Sequence, residues 1–539
     1  VLPLQKTAQG SWQKQDAPQA RRITGLSGYA GGGYLTATGP GAAVFNQKDK
    51  QGYDDGLGNR IIGTFANCAG GTTPWGTVLS AEENFQDQTP EAVYSDGSAA
   101  NPEALPFKLT EKRLEGLGNV FGLAGNKYGW MVEIDPANPQ DYGQKHTWLG
   151  RFRHEAVSVR AEAGRPLAVY SGCDRRSGHF YKFVSAEPAQ NPEDKGNSRL
   201  FETGRLYGAR FNPDGTGEWI ALAPDTPVRP ILPSQIAVVK PEEAVVYLPH
   251  SDRTQPGPEA FLTDQAVQDY GRRFQTLGDL YPGGNPQGAI LIDAHLAANA
   301  VGVTPTARPE DTELLADGSV VIAFTSGWPD PEDGGCDRRV FRGPDGETPY
   351  ECGWILKLQE DDNRPEALRF RWQILAAGGE PQEGGLGFSN PDNLALDGFG
   401  DLWMVTDIST GKLNQPFQRR EETNSLATVG AFGNNSLWYL PLRGAGQARP
   451  FALGPMESEL TGPVFSRDQQ TLFLAVQHPG EARGTRRDGA SQTATFPLVA
   501  SNGAAFNQER TVPQGSNWPS GQVNQPPRPA VITIRRLGA

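Results

Sequence analysis

The chain runs to 539 residues, with 49 Lys and Arg against 62 Asp and Glu and a formal net charge of −13, so it lacks the basic block that a nucleic-acid partner requires. No apolar run approaches the roughly 18 residues that span a bilayer, which excludes a membrane helix and predicts a soluble chain. With 66 Gly, 44 Pro and 37% hydrophobic residues, the composition suits many short strands joined by turns, and an all-β core is expected.

Residues 1–60 are rich in Gly, Pro, Asn and Gln and read as ordered loop without repeat character. Val1 opens without a charged and apolar leader, which leaves open whether one has been removed. Further on, an Asp-Gly or similar turn recurs ahead of an alternating aromatic and aliphatic strand. Asn212-Pro213-Asp214-Gly215 leads to Trp219, Ala316-Asp317-Gly318 to Val320-Val321-Ile322, Asp397-Gly398-Phe399-Gly400 to Leu402-Trp403-Met404, and Arg467-Asp468-Gln469-Gln470 to Leu472-Phe473-Leu474. This is the rhythm of propeller blades, in which each small antiparallel sheet covers the face of its neighbour. Helical pattern is confined to residues 264–274 and 286–298, placed in excursions between blades. Residues 325–352 and 480–527 read as ordered loops, and Ala530-Val531-Ile532-Thr533-Ile534-Arg535 as a strand able to close the ring against an N-terminal one. Residues 1–59 are taken as an N-terminal extension contributing to a propeller domain over 60–539, the two forming one structural unit.

Four cysteines are too few for a disulfide framework. Cys336 and Cys352 bracket a loop rich in Asp, Gly and Pro and form the best pair for a staple in an oxidising compartment, while Cys173, after an apolar strand, reads as a buried free thiol. Cys68 lies between glycine-rich turns, fifteen residues ahead of Glu83, and suits either a metal site or a small core position. The six histidines include no His-x-x-x-His pair, which argues against a zinc hydrolase. Oxygen donors at strand ends point instead to hard cations. Glu155 in Arg153-His154-Glu155-Ala156 is a ligand or a solvated turn carboxylate. In Arg308-Pro309-Glu310-Asp311, Pro309 stiffens the backbone between a five-donor fork and a carboxylate, an anion clamp beside a metal ligand or else a salt-bridged turn. Asp392 follows Pro391 in the same way, with an ordinary Asx turn as its alternative. Glu459 in Glu457-Ser458-Glu459 and the stretch Gln477-His478-Pro479-Gly480-Glu481 place further polar groups at blade ends.

In their order along the chain these motifs resemble the PhoX-type alkaline phosphatases. The resemblance runs through Asn67-Cys68, Thr73-Pro74-Trp75-Gly76-Thr77, Glu82-Glu83-Asn84, Leu149-Gly150-Arg151-Phe152-Arg153-His154-Glu155, Arg308-Pro309-Glu310, Phe388-Ser389-Asn390-Pro391-Asp392, Phe432-Gly433-Asn434-Asn435, Glu459-Leu460-Thr461-Gly462 and Gln477-His478-Pro479-Gly480-Glu481, over residues 60–537. It implies a six-bladed β-propeller with loop and short helical insertions, carrying two ferric ions (Fe3+), about three calcium ions (Ca2+) and a bridging oxo group. It further implies export, already folded, by the twin-arginine route to the periplasm or the extracellular space, action as a monomer, and small-molecule phosphate esters as substrates. Carried over by motif, Cys68 is the thiolate ligand to iron, and Glu155, Glu310 and Asp392 hold iron and calcium. Glu83 is a calcium ligand, Glu459 and Asp174 are further metal ligands, and Arg308 grips phosphate, with Glu310 beside it in the catalytic set. Two departures stand out. Asp311 occupies a position where an aromatic residue is expected, which would alter the pocket wall, and Cys173 occupies one where an acid is common, which weakens Asp174 as a ligand.

The chemistry implied is phosphomonoester hydrolysis, which needs positioning and charge neutralisation more than acid or base help. The competing readings are a calcium-dependent propeller lactonase or phosphotriesterase, which would not need Cys68, and a non-catalytic ligand-binding propeller.

Overall fold

The computed structural model describes residues 1–110, 113–415, 432–443, 447–500, 502 and 504–535. Its recurring turns work as their residues dictate. Asp214, Asp317 and Asp397 each accept the backbone N–H two residues on, from Thr216, Ser319 and Phe399. Gly215 and Gly318 take the left-handed conformations, φ +84° and +79°, that a side chain would resist. Turns this tight return each strand against the one before it, giving sheets of six, nine, four and three strands and several two-stranded hairpins.

Five strands face the centre: β1 (Asn67–Thr72), β2 (His154–Arg160), β3 (Pro309–Leu314), β4 (Pro391–Leu396) and β5 (Glu459–Phe465). Strand β1 is an edge of the six-stranded sheet, β2 and β3 the two edges of the nine-stranded one, and β4 and β5 edges of the four- and three-stranded ones. Each packs on the next in turn, around an axial channel of about 600 Å3. The approach between β1 and β2 is so close that a Cβ at Gly71 would lie 2.1 Å from the Val157 carbonyl oxygen, so only glycine fits there. Ser158 Oγ donates to the Thr312 carbonyl at 2.5 Å, Asp311 Oδ2 accepts from Leu394 N at 2.8 Å, and Asn393 Oδ1 accepts from Gly462 N at 2.9 Å. These bonds tie β2 to β3, β3 to β4 and β4 to β5.

Apolar side chains fill the spaces between sheets, among them Leu79, Met131, Phe152 and Phe183 on one side and Ile322, Phe324, Trp354 and Leu356 on another. The expected helices appear as Asp264–Arg273, Pro286–Ile292 and Ala294–Ala300, between the two halves of the nine-stranded sheet. That sheet arises because the outer strands Thr216–Ala221 and Arg369–Ala377 pair through Thr216 to Glu218 and Arg369 to Arg371.

Three expectations need correction. The 480–527 segment is not only loop, since Ser491–Val499 and Ala505–Pro513 form a nine-pair hairpin. The last strand, Ala530–Arg535, pairs with Thr471–Gln477 rather than with an N-terminal strand, although Arg535 Nη1 donates to the Gln9 carbonyl at 3.0 Å. Cys336 and Cys352 are not bridged; all four cysteines are free. Cys336 is buried with its thiol 3.7 Å from the Gly327 carbonyl, and Cys352 is buried beside Ser389 and Tyr350. Cys173 is the buried free thiol expected. Residues 1–59 enter the six-stranded sheet through Leu35–Thr38, which pairs in parallel with Gln144–His146.

Candidate metal and phosphate site

One backbone arrangement occurs five times at the same end of the ring. A residue two positions ahead of each candidate on an inner strand gives its carbonyl to a backbone N–H just beyond the neighbouring strand. Ala66 O accepts from Glu83 N, Arg153 O from Asp174 N, Arg308 O from Thr325 N, Asn390 O from Asp407 N, and Glu457 O from Glu481 N, all at 2.8 to 3.1 Å. Each sheet therefore presents a pair of side chains: an entry residue (Cys68, Glu155, Glu310, Asp392 or Glu459) and an exit residue (Glu83, Asp174, Thr325, Asp407 or Glu481). Ala66, Arg308, Asn390 and Glu457 hold φ of 54°, 57°, 53° and 54°, a left-handed conformation that non-glycine residues adopt at a cost and that concentrates at functional sites. On β1 to β4 the register shifts immediately after the residue preceding the candidate, so Cys68, Glu155, Glu310 and Asp392 each open a β-bulge that re-aims the side chain. On β5 the bulge comes later, after Thr461, and Glu459 still pairs with Gln477.

The side chains converge. One donor atom from each of Cys68, Glu83 and Glu155, and likewise from Glu155, Asp174 and Glu310, lies within 4.8 Å of the others, with Glu155 common to both groups. Burial, then the charges of Glu83, Glu310, Asp392 and Asp174, pushes the Glu155 carboxyl well above the ordinary range. Glu83, Glu310 and Asp392 are raised in the same way, by burial first and by neighbouring carboxylates second. Although Cys68 as a residue is exposed, desolvation of its Sγ and then the charges of Glu155, Glu83, Asp392 and Glu459 raise its thiol. So many buried acids repel one another and call for cations. Glu310 Oε1 lies 3.1 Å from Arg308 Nη2 yet is buried without an aligned hydrogen bond, the mark of an acceptor suited to another partner. The donor set, mostly carboxylate with one thiol, fits hard cations together with one metal that tolerates sulfur.

Arg308 occupies the middle of this array. Its Nε and Nη2 donate to Asp174 Oδ1 and Oδ2 at 2.8 and 3.0 Å, and Nη2 stands 3.7 Å from Asp407 Oδ2. Arg308 outweighs the desolvation that would raise Asp174 and leaves that carboxyl lowered. Asp392 is buried at the Asp407 side, and Glu459 lies 3.4 Å from His478 Nε2 and adjoins both Asp392 and Asp407 electrostatically. The positions singled out from sequence therefore lie together. Asp311 does not face them; it lines the axial channel and secures Leu394 N. Sequence reasoning missed Asp407, whose carboxyl burial and Glu459 lift to about 7, and Arg176, whose Nη1 donates to Ser326 Oγ at 2.9 Å. Asp407 carried a usable signal, an acid directly after the apolar strand Leu402–Thr406, as Asp174 follows Arg165–Cys173.

The family model described as "Alkaline phosphatase PhoX" matches residues 1–480. Among solved structures, Pseudomonas fluorescens PhoX in complex with vanadate, a transition state analogue, is 27% identical at a TM-score of 0.61, the match covering 97% of this chain and 80% of that one. Two putative 6-phosphogluconolactonases, from Bacteroides fragilis and Bacteroides uniformis, match at 10% and 8% identity with TM-scores of 0.20 and 0.19, covering 75% of this chain in each case and 93% and 94% of theirs. No curated protein sequence matches the chain. Among the described residues, no helix is long and apolar enough to cross a membrane.

Proposed function

Since this chain belongs to the PhoX alkaline phosphatase family and is a phosphoric monoester hydrolase, we propose that the ring of entry and exit residues is its catalytic centre and holds iron and calcium. The observation that carries this reading is the fivefold pairing that aims Cys68 and the carboxylates at one place, with Arg308 among them. Cys68, Glu83, Glu155, Asp174, Glu310, Asp392 and Glu459 would hold two ferric and about three calcium ions, with Asp407 as an added candidate. Bound cations would supply neutralisation of the phosphoryl oxygens and activation of the attacking oxygen.

Arg308 presents a planar fork able to take two phosphoryl oxygens at once, and it stabilises the charge that spreads over the equatorial oxygens as the ester bond breaks. The Arg308 carbonyl, bonded to Thr325 N at 3.0 Å, fixes the backbone from which the fork projects. Asp174 orients the guanidinium through its two bonds, and Glu310, two residues on, shares the same cation.

The reading extends to a six-bladed propeller. Residues 1–59 and 60–539 would act as one unit, exported folded by the twin-arginine route and working as a monomer. The test is release of inorganic phosphate from a phosphomonoester by protein purified without chelator, with elemental analysis of the same sample. Activity accompanied by iron and calcium, and inhibited by vanadate, is expected. Full activity in metal-free protein would overturn the metal assignment.

A further inference from the structure

Three residues beyond Thr325, the exit residue of the third pair, the chain reaches Trp328, and five beyond Asp407, the exit residue of the fourth, it reaches Lys412. Both line a cavity of about 890 Å3. Three residues of chain span at most about 10 Å, so the cavity borders the exit residues at the candidate catalytic end of the ring. Its size falls in the range of small-molecule sites.

Arg176 connects the two spaces. It lies two residues after Asp174, and its Nη1 donates to Ser326 Oγ at 2.9 Å and to the Trp328 carbonyl at 3.3 Å. Ser326 N in turn donates to the carbonyl of Ala307, the residue before Arg308, at 3.2 Å. Ser326 Oγ also reaches Glu351, which holds Lys412 at the cavity wall. A short polar relay thus runs from the phosphate clamp to the cavity.

The cavity's own walls are of a different character. Val238, Val245, Tyr247, Leu262, Trp328 and Pro331 make them largely apolar, and the Tyr247 hydroxyl is spent on the Pro331 carbonyl at 2.9 Å. Four carboxylates, of Glu242, Glu243, Asp330 and Glu351, outnumber the two lysines, Lys240 and Lys412. Lys412 is already paired with Glu351, and Lys240 lies 3.9 Å from Glu243. A polyol entering here would lose water along the apolar walls and gain bonds only where its hydroxyls reached a carboxylate. A second phosphate or a carboxylate would meet like charge. A flat, uncharged ring would gain apolar burial and an aromatic partner in Trp328.

Resting on the phosphomonoesterase reading, we propose that this cavity receives the alcohol portion of the ester, that the substrates are phosphate monoesters of ring-bearing alcohols without negative charge, and that Trp328 is the wall that determines this specificity.

The experiment compares kcat/KM for benzyl phosphate, ethyl phosphate and 4-carboxybenzyl phosphate, in all of which the leaving oxygen is attached to a saturated carbon. The metal-loaded enzyme should favour benzyl over ethyl phosphate by roughly tenfold or more, with the carboxylated ester falling back towards ethyl phosphate. Trp328→Ala should bring the benzyl-to-ethyl ratio towards one, and Val239→Trp, which fills the cavity from another wall, should do the same by exclusion. Because each ratio is taken within one protein sample, loss of folded enzyme cancels. A ratio near one in the unmodified enzyme, or a preference for benzyl phosphate that survives both substitutions, would overturn the proposal and leave the phosphatase reading standing. Failure of the unmodified enzyme to hydrolyse any of the three esters would overturn both.

Discussion

Arg308 and Asp174 are joined by two near-parallel hydrogen bonds, although they come from opposite halves of the nine-stranded sheet. The residue proposed to grip phosphate is thereby held by a residue proposed to bind metal, so substrate binding and metal binding share one carboxylate. A phosphate that reaches the fork must share it with Asp174, and whatever draws Asp174 elsewhere makes the fork more available.

Replacing the fork by a point charge tests this arrangement. Arg308→Lys should keep its metals while kcat falls by roughly 10²-fold, a loss of the size seen when one preorganised donor to a developing charge is removed. Steady-state kinetics with elemental analysis on the same preparation reads both quantities. Unchanged kcat would remove Arg308 from the phosphate site.

Cys68→Ser exchanges a thiolate donor for a hydroxyl that remains mostly protonated at neutral pH. Iron content and activity should fall together while calcium is retained. A variant with normal iron and normal turnover would return Cys68 to a packing role, where a small polar substitution costs no more than about 1 to 3 kcal/mol.

Prolonged treatment with a calcium chelator should abolish phosphatase activity and lower the melting temperature, since cations that link several sheets stabilise the folded state by mass action. An unchanged melting curve after calcium is shown to be gone would separate the ions from the ring's stability.

Glu133 provides a pH dependence remote from the metal site. Burial would raise its carboxyl, but His146, Ser198 and Thr77 outweigh burial and hold it at about 2 against an ordinary 4.5. Its contribution is fully present above pH 4.5 and is lost progressively as the pH falls towards 2, because the unfolded chain binds the proton first. The shift corresponds to about 3 kcal/mol at most. Melting temperatures taken downward from pH 5 should fall less steeply for Glu133→Gln than for the unmodified enzyme, and parallel slopes would show that the carboxylate is not linked to folding.

The thiols make a separate case. With Cys336 and Cys352 unbridged, thiol titration of the unfolded protein without reductant should find all four cysteines reactive, and gentle reduction should change neither activity nor stability. A titre of two would restore the loop staple.

What could be read from sequence follows from how local the cause was. The Asp-Gly turns before Thr216 and Ser319 depend on two or three adjacent residues, and they form as their residues predict. Cys68, Glu155, Glu310 and Asp392 were visible as motif positions, but not the reason they converge, because a bulge exists only relative to a partner strand. Arg176 is one of two adjacent arginines, and nothing local distinguishes it from Arg175, which is bound to Glu91 instead. The loop reading of 480–527 failed because Gly, Asn and Gln counts outweighed the alternation in Ser491–Val499, whose pairing with Ala505–Pro513 supplies the order.

The two halves of the nine-stranded sheet are fastened at both rims. Near the axis Ser158 holds Thr312, and at the periphery Thr216 to Glu218 continue the ladder into Arg369 to Arg371. Among the described residues, no other pair of neighbouring sheets shares such an outer ladder. A ring built this way has a weld among its seams, and thermal breathing should begin at the seams on either side of β1, β4 or β5 rather than within the weld. Amide protons of residues 216–218 and 369–371 would then exchange on the slow timescale of the ring interior despite their place at its outer rim, and rapid exchange there would show that the weld opens as freely as the other seams.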